Sequence, residues 1–243
     1  MSQSPIPTPS SGSPFRVKRA APRDVSVDSR RGRRLSPSER EKCIAAAAVT
    51  FFSTHGFDGQ TRELAAALGI TQPLLYRYFP SKEALIERVF QDVFVGRWDP
   101  FWEELIIDRK MDLEARLTQF YVSYASVILT PEWVRLFMFA GLKGLDFNGR
   151  YLQMLHKRIF EIIVGELRYE FDRPSLITAP SSDLEIEMIW SLHASIFYLG
   201  VRRFIYGMPL ASPVDKIISA KVKAFLYGVS QILPPTEQNS ACA

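Results

Sequence analysis

The sequence predicts an all-α protein, with a small three-helix unit near the N-terminus leading into a larger helical body. Three observations predict it. Helix-start signals recur along the chain, each a Ser or Thr next to proline or just ahead of Lys-Glu. Apolar residues return at spacings of three and four, the period of a helix with one buried face. No hairpin signal or internal repeat stands out. A chain of 243 residues, 47% of them hydrophobic, accommodates two helical units and a sizeable core.

The elements follow in order. Ser36-Pro37-Ser38-Glu39 reads as a capping box with proline at the first helical position. Ile44, Ala47, Ala48, Phe51 and Phe52 then recur at i, i+3, i+4, i+7 and i+8, and Gly56 ends this helix after His55. Leu64, Ala65 and Leu68 form the apolar face of a second helix, which either Gln60 or Thr61 is expected to cap. Gly69 follows, where a helix ending in a left-handed residue needs glycine, and Ile70 is expected to plug the turn. Thr71 caps a third helix with Pro73 in its first turn and Leu75 and Phe79 as core residues. Phe79 precedes Pro80, which biases the backbone out of the α region and stops the helix. Ser81 caps a further helix that opens with Lys82 and Glu83 and carries Ile86, Val89, Phe90, Val93 and Phe94 on one face.

The third helix is thus about eight residues long, just over two turns, and sits behind a glycine turn. That is the layout of a helix-turn-helix, which places one short helix in the major groove of DNA. Beyond it, Asp99-Pro100 marks a kink or a fresh start. Helical segments are expected at 113–129, 131–144 (opened by Thr130-Pro131), 149–171, 183–206 and 213–232 (opened by Ser212-Pro213), with Pro234-Pro235 closing the last. The division expected is a disordered basic arm over 1–35, the helix-turn-helix unit over 36–82, the body over 83–233 and a disordered tail over 234–243.

The formal charge of +4 is unevenly placed. Residues 1–35 carry eight Lys and Arg against Asp24 and Asp28, a surplus of six, so the rest of the chain is net acidic by two. Arg30-Arg31-Gly32-Arg33-Arg34 lies just before the first helix, where it is expected to add non-specific attraction to phosphates. The arm has no apolar run of a secretion signal. The longest apolar stretch, Met188 to Val201, is 14 residues, short of a membrane span. The two cysteines, Cys43 and Cys242, form no disulfide framework or zinc spacing, and a cytoplasmic setting without a membrane partner is expected. No serine-hydrolase, zinc-protease or phosphate-loop motif occurs, so neither catalytic residues, metal nor cofactor is expected, and Glu103, Glu104, Glu185 and Glu187 read as solvated helix surface.

The stretch FFSTHGFDGQTRELAAALGITQPLLYRYFPSKEAL resembles the N-terminal domain of the tetracycline-repressor (TetR) family of bacterial transcription regulators. The resemblance covers about residues 36–90, and it departs in a loop between Gly56 and Arg62 one residue shorter than the family's commonest form. It implies a sequence-specific, ligand-responsive repressor that binds a palindromic operator in double-stranded DNA as a homodimer. Thr71, Gln72, Leu74 and Tyr76 would line the groove-facing side, with Pro73 beside them and Arg77 either there or in solvent. Gln72 could pair with an adenine edge and Leu74 touch a thymine methyl. Thr61, Arg62, Tyr78 and Lys82 would meet the phosphate backbone.

In the body the resemblance implies a pocket for a small apolar or aromatic effector, with Phe120, Tyr124, Trp133, Phe137, Met138, His156, Phe160, Trp190, His193 and Phe197 as candidate lining. It implies a dimer interface from the last two helices. Met188, Ser191, Ala194, Ser195 and Tyr198 would contribute from one, and Ile217, Ile218, Lys221 and Phe225 from the other. Effector binding would move the helix that starts at Lys82. The other readings open at this stage are a DNA-binding architectural or occlusion protein without inducer, and a helical small-molecule carrier.

Overall fold

The computed structural model describes residues 35–233, and these are helical with no strand among them. The arm and tail expectations, including Arg30 to Arg34, lie outside the described residues. Residues 36–233 form one compact unit.

Helix α1, Pro37–His55, opens as expected: the Ser36 hydroxyl accepts the Glu39 N–H, and the Glu39 carboxylate accepts the Ser36 N–H at 2.8 Å. Gly56, at φ +70°, ends it. Helices α2, Thr61–Ala67, and α3, Gln72–Tyr78, are separated by Gly69 at φ +63°, a backbone region that disfavours any Cβ. Helix α4, Lys82–Phe90, is capped by Ser81 and passes directly into a wider π-helical segment, Gln91–Val95.

Asp99-Pro100 proves to be a fresh start: Asp99 Oδ1 accepts the Phe101 N–H at 3.0 Å, and α5 runs over Phe101–Ile107. Asp112 caps α6, Leu113–Ile128, and Thr130 caps α7, Pro131–Leu142. The single segment expected at 149–171 is one unbroken helical run over 147–170, made of α8, Phe147–Leu155, a π-helical turn over His156–Phe160 that the sequence did not show, and α9, Glu161–Glu170. Helix α10, Asp183–Phe204, begins in a second capping box, Ser182 with Glu185. Helix α11, Val214–Val229, departs from expectation at its start: Pro213 itself occupies the capping position, and no side chain closes that end.

The core runs without interruption from α1 into the body. Helix α1 packs against both α4 and α7; α5, α6 and α9 form a second group, and α10 lies against α6, α7 and α9 with α11 closing over α6 and α10. Phe147 joins the two ends, its ring 5.8 Å from Phe57 and 4.8 Å from Phe90. No single helix among the described residues is long and apolar enough to cross a membrane.

Two buried ionic clusters tie the body together. Glu166 accepts from Arg116 at 2.7 Å and from Arg109 at 2.9 and 3.1 Å. Glu185 corrects the sequence reading, which placed it on a solvated face. It is 2% exposed, and Arg168 grips both its oxygens at 2.7 Å. Burial alone would push the Glu185 carboxyl up, but the Arg168 and Ser182 hydrogen bonds outweigh it and hold it below the usual carboxylate range.

Candidate nucleic-acid interface

Helix α3 is anchored at one side and open at the other. Leu75 is fully buried and Phe79 nearly so, which turns the rest of this two-turn helix outward. Thr71 holds its start by accepting the Leu74 N–H at 3.3 Å, and Phe79 leaves the helix in an extended conformation ahead of Pro80. Thr71, Pro73, Tyr76 and Arg77 are exposed, and Gln72 and Leu74 are half-buried. Arg62 is exposed in the first turn of α2. Tyr78 and Lys82 are half-buried, Tyr78 packing against the core.

Thr61 departs from its expected place. It is only 6% exposed, and its Oγ1 accepts Gln72 Nε2–H at 3.0 Å and lies 2.9 Å from the Tyr76 hydroxyl. Its hydroxyl is thereby engaged inside the protein rather than open to solvent. Thr61 does not cap α2: Gln60 holds the capping position and makes no side-chain cap bond. These partners lie 11 and 15 residues away, so no local signal in the sequence marked them.

The reading unit is latched to the body through α4. Arg150 on α8 donates to both Glu87 oxygens at 2.8 and 2.9 Å while its guanidinium stacks 4.2 Å over the Phe90 ring. The Arg150 hydrogen bond holds the Glu87 carboxyl below its ordinary range. On the other side Arg88 bonds Glu41 of α1 at 2.5 Å and Asp92 at 2.9 Å, and Lys143 pairs with Asp58. Only Arg88–Asp92, an i,i+4 pair, was legible from sequence spacing; the others join residues far apart in the chain.

In the body the candidate pocket residues meet one another. Trp133 stacks on Phe137 at 4.8 Å, Phe197 abuts both, and Phe160 packs against Trp190 at 4.6 Å and His193 at 5.5 Å. Tyr124 bridges the two groups, 5.5 Å from His193 and bonded through its hydroxyl to the Tyr151 hydroxyl at 2.8 Å. Phe120 stacks on Tyr124, and Met138 packs at the edge of the core. His156 is apart from the centre. With Trp190 it lines a surface cleft of about 330 Å³.

Three buried polar atoms in this aromatic centre have no hydrogen-bond partner: the Tyr121 hydroxyl, Trp133 Nε1 and His193 Nδ1. Burial pushes His193 down to about 4 and raises Tyr121, so both are neutral near pH 7. Among the described residues no cluster of His, Cys, Asp and Glu is placed to hold a metal.

The last two helices carry an exposed stripe. On α10, Leu184, Ser191, Ala194 and Tyr198 face outward at helical spacing, with Ile205 just past its end and Met188 and Ser195 half-buried at its margin. On α11, Ile217, Lys221 and Phe225 are half-buried. Ile218 corrects the sequence reading: it is fully buried inside the chain's own core and cannot meet a partner. Leu184 and Ile205 extend this exposed stripe at seven-residue steps from Ser191 and Tyr198.

Residues 44–89 match the family described as bacterial regulatory proteins, tetR family. The chain is 26% identical over 192 residues to the HTH-type transcriptional repressor KstR2 of Rhodococcus jostii (strain RHA1), covering 75% of this chain and 87% of that protein. It is 35% identical over 77 residues to the uncharacterized HTH-type transcriptional regulator YdgC of Bacillus subtilis (strain 168), a match spanning 31% of this chain and only 39% of that relative's length. A tetR-family transcriptional regulator from Streptomyces coelicolor shares the fold, with a TM-score of 0.55 at 18% identity over 82% of this chain and 84% of that one.

Proposed function

We propose that this chain, a member of the tetR family of bacterial regulatory proteins and a DNA-binding transcriptional regulator, is a repressor. It binds a palindromic operator as a homodimer and lets go when a small apolar or aromatic molecule enters its body. The reading unit is 36–82, the body 83–233, and the setting is the cytoplasm. The observation that carries the proposal is the outward face of α3, where Thr71, Pro73, Tyr76 and Arg77 stand exposed over the buried braces Leu75 and Phe79. A helix of seven residues reaches few base pairs. Two copies reading half-sites a helical turn or more apart supply the missing specificity.

The stripe from Leu184 to Ile205 supports the dimer, because it offers small and aromatic residues where two helices can approach closely. The three unpartnered polar atoms around Tyr121, Trp133 and His193 support an effector, because a neutral ligand with one or two hydrogen-bonding groups would satisfy them. The rings now fill that space with one another, so the effector has to displace them. Tyr124, Tyr151 and Trp133 connect the aromatic centre to Phe94 in the π-helical segment that continues α4, and Arg150 ties α8 to Glu87. An effector that prefers a parted aromatic centre would thereby shift α4 and change the spacing of the two reading helices.

Selection of the purified chain against a random duplex pool tests the reading. The expected outcome is an enriched inverted repeat whose affinity falls steeply with salt. Tyr198→Arg is expected to leave a folded monomer by sedimentation that binds the repeat far more weakly. A native chain that enriches no sequence, or a Tyr198→Arg monomer with undiminished affinity, would sink the proposal.

A further inference from the structure

We infer that Thr61 is a positioning residue for base reading, holding the Gln72 carboxamide in the orientation that accepts adenine and rejects guanine. The inference rests on the DNA-reading role proposed above for α3. Thr61 lies beneath the reading helix at 6% exposure, and one hydroxyl contacts both polar groups above it: Gln72 Nε2 at 3.0 Å and the Tyr76 hydroxyl at 2.9 Å.

The hydrogen-bonding inventory decides what this leaves for DNA. A glutamine amide has two N–H donors and one carbonyl acceptor. With one N–H donated to Thr61, one N–H and the carbonyl remain. That pair matches adenine in the major groove, where N7 accepts and the N6 amino group donates. Guanine presents two acceptors, N7 and O6, and requires two donors together. An untethered glutamine can turn its NH₂ group toward guanine, whereas one tied to Thr61 lacks the second donor. The tie also restrains two rotatable side chains before DNA arrives, so less freedom is lost on docking.

Tyr76 shares the anchor in a different sense. The threonine hydroxyl has one proton and two lone pairs, so it can accept from Gln72 and still bond Tyr76 as donor or acceptor. The Tyr76 oxygen keeps a further bonding site, and at 36% exposure it can meet a phosphate. Thr61 therefore affects base choice through Gln72 and general affinity through Tyr76.

The test compares the full native chain with Thr61→Val, Thr61→Ser, Gln72→Ala and Tyr76→Phe, each selected against the same random duplex pool. Valine keeps the shape and removes both hydrogen bonds, and serine keeps the hydroxyl. The Gln72→Ala selection identifies the base position that Gln72 reads. At that position the native chain and Thr61→Ser should select adenine. Thr61→Val should lower the adenine-to-guanine ratio by about tenfold, within the range one bidentate contact can discriminate, and leave the other positions unchanged. Tyr76→Phe should weaken all sites alike without altering that ratio. Matched thermal melts separate a lost contact from a lost fold. Thr61→Val with the native adenine preference, Thr61→Val blurring every position equally, or a Gln72 position that never favours adenine would each overturn the inference. A native chain that enriches no motif overturns the DNA-reading role on which it stands.

Discussion

Replacing Arg168 by Met should be among the most damaging single changes in the body. All five guanidinium N–H groups are used: Nε and Nη2 grip Glu185 at 2.7 Å, Nη1 reaches the Pro174 and Ala179 carbonyls at 3.1 and 2.5 Å, and Nη2 also reaches the Pro180 carbonyl at 3.0 Å. Both side chains of the pair are 2% exposed. Methionine fills much of the volume but strands an ionised Glu185 whose other bonds come only from Ser182. Removing one partner of a buried pair costs about 3–5 kcal/mol, which for a unit of this size lowers Tm by roughly 6–20 °C.

Denaturant unfolding of both proteins across pH gives the diagnostic. In the native chain the Glu185 carboxyl is held below its ordinary value near 4.5. Its contribution is therefore complete above that value and lost as pH falls through the lower folded one. In Arg168→Met the stranded carboxyl should be raised instead, so the stability gap between the two proteins narrows on acidification, and adding Glu185→Gln should recover part of the loss. A loss under about 1 kcal/mol, or a gap independent of pH, would refute the reasoning that an unpaired buried charge is the cause.

Other changes probe the turn, the helix packing and the phosphate contacts. At Gly69, φ is +63° and nothing lies within 4 Å of an added Cβ. Gly69→Ala should therefore cost about 1–2 kcal/mol in denaturant unfolding from backbone strain alone, and Gly69→Asn less. At Gly200 the reverse holds: an added Cβ would sit 2.8 Å from Val134 Cγ2 and 2.9 Å from Leu129 Cδ2. Gly200→Ala should cost about 1–3 kcal/mol by overpacking α10 on α7, read as a lower Tm. Arg62→Ala, at an exposed first-turn position, should weaken binding evenly across DNA sequences and reduce the slope of log affinity against log salt by about 1 for each copy bound. A change of base preference would show that Arg62 reads bases.

Much of the reading unit was legible in the sequence, because its signals are local. The Ser36, Thr71 and Ser81 caps each bond a backbone N–H three residues on, and Gly56 and Gly69 end their helices at positive φ, which glycine alone adopts freely. Leu75 and Phe79 are core because helical spacing placed them opposite Tyr76 and Arg77. The body was less legible. An unbroken apolar pattern at 149–171 conceals the π-helical turn at His156–Phe160, since a widened turn leaves no residue signature of its own. Glu185 looks like surface because a carboxylate usually is. Its burial depends on Arg168, 17 residues away across a turn.

The sequence by itself determined where helices begin, where they break, and that one short helix behind a glycine turn bears polar and aromatic residues. Those choices are settled by backbone sterics and capping bonds within about four residues. Only the tertiary structure decided that Thr61 lies under Gln72 and Tyr76, that Ile218 turns inward, and that Arg150 latches α8 to α4. Each of those depends on which distant helix packs alongside, and burial then fixes whether a given hydroxyl, carboxylate or alkyl chain meets protein or solvent.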